Sequence, residues 1–163
     1  MMTEKTLTQI ATQIGQKLKQ QNLFLTTAES CTGGWIAQVI TEVAGSSAWF
    51  DRGFVTYSNL AKQEMLNVEE SILINHGAVS EQTVLAMVKG ALANSQAHIS
   101  VAISGIAGPT GGTVEKPVGT VWIAWGNIKK GEYHAYCYHF KGDRHAVRQQ
   151  AVRNALHGIL TIL

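Results

Sequence analysis

Apolar residues at Leu7, Ile10, Ala11, Ile14 and Leu18 recur at helical spacing, so residues 4–20 are predicted to form a helix with Thr3 as its N-cap. Asn22 breaks that period, and residues 23–28 read as a buried strand. Trp35, Ile36, Val39, Ile40 and Val43 line one side of a second helix, which Gly45-Ser46-Ser47 ends. Residues 50–57 carry β-branched and aromatic side chains and read as a strand. Ser58 or Asn59 then caps a short helix through Leu66, and residues 69–74 add a further helical turn or two, closed by Asn75-His76-Gly77. Ser80 caps a longer helix with Val84, Met87, Val88, Ala91 and Leu92 facing inward. Residues 98–104 form an apolar strand, and residues 105–117 a glycine-rich loop. Residues 119–125 and 133–140 are strands joined by a turn at 127–131, a connection too short for a parallel crossover, so they pair as an antiparallel hairpin. Asp143 caps a last helix that turns Val147, Ala151, Ala155, Leu156 and Ile159 inward.

The order α-β-α-β-α-α-β-β-β-α indicates one α/β domain over residues 1–163, with a mixed sheet and helices on both faces. In such sheets the ligand crevice lies beyond the carboxyl ends of strands. Three segments leave strands that way, around residues 29–34, 58–62 and 105–117, and they are expected to converge.

Composition narrows the class. Of 163 residues, 45% are hydrophobic and 15% charged, which fits a globular chain with a full core. A net charge of +2 gives no basic stripe for nucleic acid. No apolar run approaches the roughly 20 residues that span a bilayer, and the N-terminus lacks a secretory h-region. Two cysteines, Cys31 and Cys137, make no disulfide framework, and a cytoplasmic protein is expected. No His, Cys, Asp or Glu cluster has metal-ligand spacing, so no metal is expected.

The chemistry concentrates where the first strand hands over to a helix, at Thr27-Ala28-Glu29-Ser30-Cys31-Thr32-Gly33-Gly34. Helix starts present unpaired N–H groups and a positive dipole end, and glycines allow close approach. Ser30 reads either as a helix cap or as a nucleophile with an oxyanion site around Thr32, Gly33 and Gly34. Cys31 is a rival nucleophile, because a helix N-terminus lowers a thiol pKa. Tyr57 and Lys62 can point into the same crevice: Lys62 can act as a base once burial lowers its pKa, and the Tyr57 hydroxyl can bridge serine and lysine. The other reading puts Tyr57 in the core and Lys62 in solvent. Gly105, Gly108 and Gly111 belong to a loop that is neither a Walker A loop, since Thr113 stands where lysine is required, nor a dinucleotide fingerprint. It either contacts a ligand through backbone N–H groups or is a flexible connection. Arg144 and Arg148, one helical turn apart, either clamp a phosphate or pair with surface carboxylates.

These motifs together, with Gly77-Ala78-Val79-Ser80, Ser104-Gly105-Ile106-Ala107-Gly108-Pro109, Lys116-Pro117-Val118-Gly119-Thr120-Val121 and Gly142-Asp143-Arg144, resemble the CinA C-terminal domain family over nearly the whole chain. The resemblance implies a three-layer α/β/α sandwich with a mixed, mostly parallel sheet that self-associates as a homo-oligomer. It implies deamidation of nicotinamide mononucleotide (NMN) to nicotinate mononucleotide and ammonia, with no cofactor. Ser30 matches the family's nucleophile, and Tyr57 and Lys62 complete its catalytic set. The substrate phosphate is expected on the 105–112 loop or on Arg144 or Arg148. Longer family members carry a further N-terminal domain, whose activities are not expected of a chain that begins at the first helix of this one. The alternative is a catalytically weak nucleotide-sensing or interaction module tied to competence or damage responses.

Overall fold

Thr6 starts the first helix. Its Oγ1 accepts the Gln9 N–H at 3.2 Å while the Gln9 side chain accepts the Thr6 N–H at 2.8 Å, a reciprocal capping box. Helix α1 then runs Leu7–Gln21 in this computed structural model, which describes residues 5–163. The expected cap, Thr3, lies outside the described residues. Asn22 closes α1 in the left-handed conformation at φ 55°. Strand β1 (Leu25–Glu29) follows, then α2 (Trp35–Thr41), β2 (Phe50–Val55), α3 (Asn59–Leu66), α4 (Glu70–His76) and α5 (Glu81–Ala93). Strands β3 (Ile99–Gly105), β4 (Thr120–Asn127) and β5 (Glu132–His139) lead to α6 (Arg144–Ile162). Ser58, Ser80 and Asp143 cap α3, α5 and α6, each accepting a backbone N–H three residues on.

The sheet has the order β2-β1-β3-β4-β5. β1 is parallel to both β2 and β3, while β4 is antiparallel to β3 and β5, so β4 alone runs against the others. Strand β3 shows why the sheet is covered on both faces. Ile99, Val101 and Ile103 enter one core with α1, α2 and α6, whereas Ala102 enters the other with α4 and α5. Large β-branched side chains thus meet three helices on one face, and small ones let α5 lie close on the other. The result is the expected three-layer α/β/α sandwich. Among the described residues no helix is long and apolar enough to cross a membrane.

This topology gathers four segments at one end of the sheet. β1, β2 and β3 are parallel, so their carboxyl ends lie together; β4 begins where β3 ends, and β5 ends there too, which delivers the first turn of α6 to the same edge. The β1–α2–β2 crossover packs on one face and the path through α5 to β3 on the other, which opens a crevice beyond β1 and β3.

Helix α3 is seated by Gly90 of α5. A Cβ there would stand 1.9 Å from the Leu66 carbonyl oxygen at the end of α3. Alanine ordinarily gains about 1 kcal/mol over glycine inside a helix. Here Gly90→Ala is expected to reverse that sign and cost about 3 kcal/mol, because backbone must move. Urea unfolding measures it; an unchanged or raised midpoint contradicts the packing.

Candidate active site

Ser30 sits immediately after β1, and its N–H donates to the Ile103 carbonyl of β3 at 3.1 Å, which ties the turn to the sheet. Lys62 lies in the first turn of α3, whose start is set by the Ser58 cap. Its side chain is 1% exposed and runs under the crevice, placing Nζ 3.1 Å from Ser30 Oγ. Nζ also donates to the Thr56 carbonyl at 2.9 Å. A neutral amine held by that carbonyl keeps a lone pair for the serine proton. Burial holds the Lys62 ammonium pKa below its ordinary 10.5, opposed only in part by Cys31. The contact between Ser30 and Lys62 is therefore direct.

Both residues line a cavity of about 300 Å³, together with Cys31, Tyr57, Asn59, Ser104 and Arg144. Its wall carries the Lys62 amine and one guanidinium, Arg144, and no carboxylate. Tyr57 is 64% exposed at the rim, in the segment after β2. Its hydroxyl accepts from Arg144 Nη2 at 3.3 Å and does not stand between serine and lysine. Arg144 Nη1 donates to the Gly108 carbonyl at 2.8 Å, so this guanidinium links α6, the 106–119 loop and Tyr57. A second cavity, about 330 Å³ between β5 and α6 and lined by Trp125, His134, Tyr136 and His157, contains none of the residues singled out in the sequence.

The family model for the CinA C-terminal domain matches residues 7–163. The chain belongs to the CinA C-terminal domain family. It is 57% identical over 155 residues to the nicotinamide-nucleotide amidohydrolase PncC of Shigella flexneri, covering 95% of this chain and 93% of that one. The Escherichia coli K12 protein of the same name is 56% identical over 156 residues, with 95% and 93% covered. Among solved structures, the competence/damage inducible protein CihA from Agrobacterium tumefaciens superposes with a TM-score of 0.93 at 43% identity, covering 99% of this chain and 98% of that one.

Within this CinA domain, several residues serve differently from the sequence expectation. Gly33 and Gly34 have φ of 59° and 96°, a left-handed turn that side chains disfavour, and neither lines the cavity. The amides expected to stabilise an oxyanion are mostly used within the chain. Gly33 N–H donates to the Ser30 carbonyl at 3.1 Å, and the Gly34, Ile36 and Ala37 amides face the Glu29 carboxylate. Among the described residues, the N–H groups of Cys31 and Thr32 make no hydrogen bond to another residue, and of the two Cys31 lines the cavity. Thr32 turns its hydroxyl away, donating to Glu29 at 2.6 Å.

Among the described residues Arg148 pairs with no carboxylate. It donates to the carbonyls of Cys31 and Thr32 at 3.0 and 3.2 Å and lies 5.4 Å over the Trp35 ring. Gly105 lines the cavity, and a Cβ there would stand 2.6 Å from Val121. Gly108 and Gly111, with φ of 81° and 90°, shape the loop and lie off the cavity wall. The Cys31 thiol pKa is pushed up to about 12, first by burial and then by Glu29, against the weaker pull of Arg148 and Lys62. Desolvation thus outweighs the helix start, and Cys31 is held as a thiol.

Glu29, Asn59 and Ser104 carry no role in the sequence reading. An acid closing the strand Leu25–Glu29 just before a helix start is a legible signal for Glu29, since a carboxylate is stabilised at a helix N-terminus. Asn59 and Ser104 join the site through placement in space, for which the sequence holds no local signal.

Proposed function

We propose that this protein hydrolyses the carboxamide of NMN, giving nicotinate mononucleotide and ammonia through an acyl-serine on Ser30. The observation that carries the reading is the 3.1 Å contact between Ser30 Oγ and the buried Lys62 amine, in a chain 57% identical to a named nicotinamide-nucleotide amidohydrolase. A bare lysine is a poor base at neutral pH; one depressed by burial is a competent one. An assembled nucleophile and base favour an enzyme over a nucleotide-sensing module.

In this reading Lys62 Nζ takes the Ser30 proton as Oγ attacks the carboxamide carbon. The Cys31 N–H, on the wall beside Ser30, supports the oxyanion; one such donor is worth about 3 kcal/mol. The proton passes from Nζ to the amide nitrogen, the C–N bond breaks, and ammonia leaves. Water, deprotonated by the same amine, then attacks the nicotinoyl ester and frees Ser30. Nucleophile, base and oxyanion donor are sufficient for an amide hydrolysis.

Arg144 is the cation placed for the substrate phosphate, because it lines the cavity whereas Arg148 does not, and Lys62 is committed to Ser30. Its guanidinium presents a planar fork at the cavity rim beside Tyr57. Arg144→Gln is expected to raise KM for NMN about tenfold or more and to alter kcat less, since a phosphate contact remote from the reacting carbon binds ground and transition states alike. Steady-state kinetics decides it; a loss confined to kcat assigns Arg144 elsewhere.

Ammonia release from NMN, nicotinamide riboside and nicotinamide tests the function itself. NMN is expected to turn over fastest, with the riboside weakened by loss of its anion. No release from NMN would refute the proposal.

A further inference from the structure

The turn that carries Ser30 is braced by a buried acid that has no basic partner among the described residues. Glu29 is 1% exposed, and its neighbours from every side are donors. Oε1 accepts the Thr32 hydroxyl at 2.6 Å and the Ile36 N–H at 2.8 Å, while Oε2 accepts the Ala37 N–H at 3.1 Å. The Gly34 amide also faces this carboxylate. The amides of this turn, which a bare strand-to-helix turn would offer to a ligand, are taken by the chain's own carboxyl group, whose pKa burial raises above its ordinary 4.5 against the pull of these four donors. Arg148 grips the same turn from α6, through the carbonyls of Cys31 and Thr32.

We infer that Glu29 is a positioning residue for the reaction: by closing the start of α2 it holds the Ser30–Thr32 turn, so that Ser30 Oγ stands against Lys62 Nζ on the cavity wall that Cys31 also lines. The inference rests on the reading of Ser30 as nucleophile. Two consequences follow from the geometry. First, the carboxylate keeps the remaining turn amides out of the cavity. Second, it places a negative charge beside the second nucleophilic side chain of the turn. The charged groups acting on the Cys31 thiol are Glu29 from β1, Lys62 from α3 and Arg148 from α6. Glu29 opposes thiolate formation there, and the two cations favour it. The acid thereby helps select oxygen over sulfur as the reactive atom.

Glu29→Gln keeps the shape, removes the charge and replaces one acceptor by a donor. It is expected to lower kcat for NMN about tenfold or more while KM stays within about threefold, because a misplaced nucleophile affects the chemical step. Iodoacetamide labelling of Cys31, followed by peptide mapping at pH 8, is expected to accelerate several-fold over wild type, since a missing neighbouring anion raises the thiolate fraction. Thr32→Val, which removes the 2.6 Å contact to Glu29 and leaves the carboxylate its backbone donors, is expected to lower kcat by a smaller factor, about threefold.

A folded Glu29→Gln protein with kcat within twofold of wild type, or with its loss carried by KM, overturns the inference. So does unchanged Cys31 labelling. If Glu29→Gln fails to fold, an unaltered kcat in Thr32→Val overturns it. Failure of the serine mechanism is distinguishable, because it shows as turnover in a Ser30→Ala protein whatever the state of Glu29.

Discussion

Ser30→Ala is expected to abolish ammonia release from NMN, lowering kcat by a factor of about 10⁴ to 10⁶, and to leave the unfolding midpoint nearly unchanged. The large kinetic effect follows from the loss of the attacking atom: without Oγ there is no acyl-enzyme, and only binding and the oxyanion donor remain. The small effect on stability follows from the contacts. Ser30 Oγ has one hydrogen-bond partner among the described residues, Lys62 Nζ at 3.1 Å, and the backbone bond to Ile103 survives the substitution. A loss within about 1 kcal/mol is expected. Cys31→Ala is the matched control. Its thiol, pushed up to about 12, is protonated at neutral pH, so this variant is expected to keep kcat within about tenfold of wild type. Ammonia release measured on the pair settles the nucleophile: a dead Cys31→Ala beside a live Ser30→Ala would transfer the role to sulfur.

Lys62→Met is expected to lower kcat by about 10³ or more, at the upper part of the range for general-base loss, since in the proposed mechanism the same amine serves acylation and deacylation. Lys62→Arg is expected to be as poor, because a guanidinium keeps the charge but cannot give up its proton near neutral pH. That comparison separates a base from a mere cation. The pH dependence has a definite sign. The deprotonated amine is the active form, so kcat/KM rises with pH through the Lys62 ionisation, which burial places below 10.5. Residual activity of Lys62→Met lacks this rising limb.

Stability carries the same signature. The native state binds fewer protons at this site than the unfolded chain between the depressed native value and 10.5. The stability of wild type relative to Lys62→Met therefore rises with pH across that window and levels off above 10.5. Going down, the contribution is lost as pH falls through the native value. Paired urea titrations across this range measure the difference; a flat difference would mean that the amine is not depressed.

The secondary structure was legible because its signals are local. Ser58, Ser80 and Asp143 cap the helices they were expected to cap, and asparagine or glycine closes α1, α3, α4 and α5. The first helix is the exception: a capping box at Thr6 starts α1 three residues after the position at which it was expected. Cap choice there is decided by the reciprocal Gln9 contact, a detail that apolar spacing leaves open. The three loops expected to converge do meet, and they were found by strand direction.

Partners across long sequence separations were not legible. The Tyr57 hydroxyl was read as able to bridge serine and lysine, with direct transfer left open; it meets Arg144, 87 positions away. Arg148 was expected on a phosphate or a carboxylate and instead holds two carbonyls of the nucleophile turn. Both outcomes depend on how β5 delivers the first turn of α6 to the carboxyl end of β1. The paired glycines at 33 and 34 marked the turn, and both hold a left-handed backbone there.

Periodicity, caps and turn residues determined by themselves the order of helices and strands and the position of the serine turn, because each depends on residues within a few places of one another. Tertiary structure alone decided that a lysine 32 positions from that serine lies 3.1 Å from it, that burial depresses its amine, and that Glu29 occupies the helix start beside it. These are consequences of sheet register and helix seating, which set distance and dielectric between groups that share no local pattern.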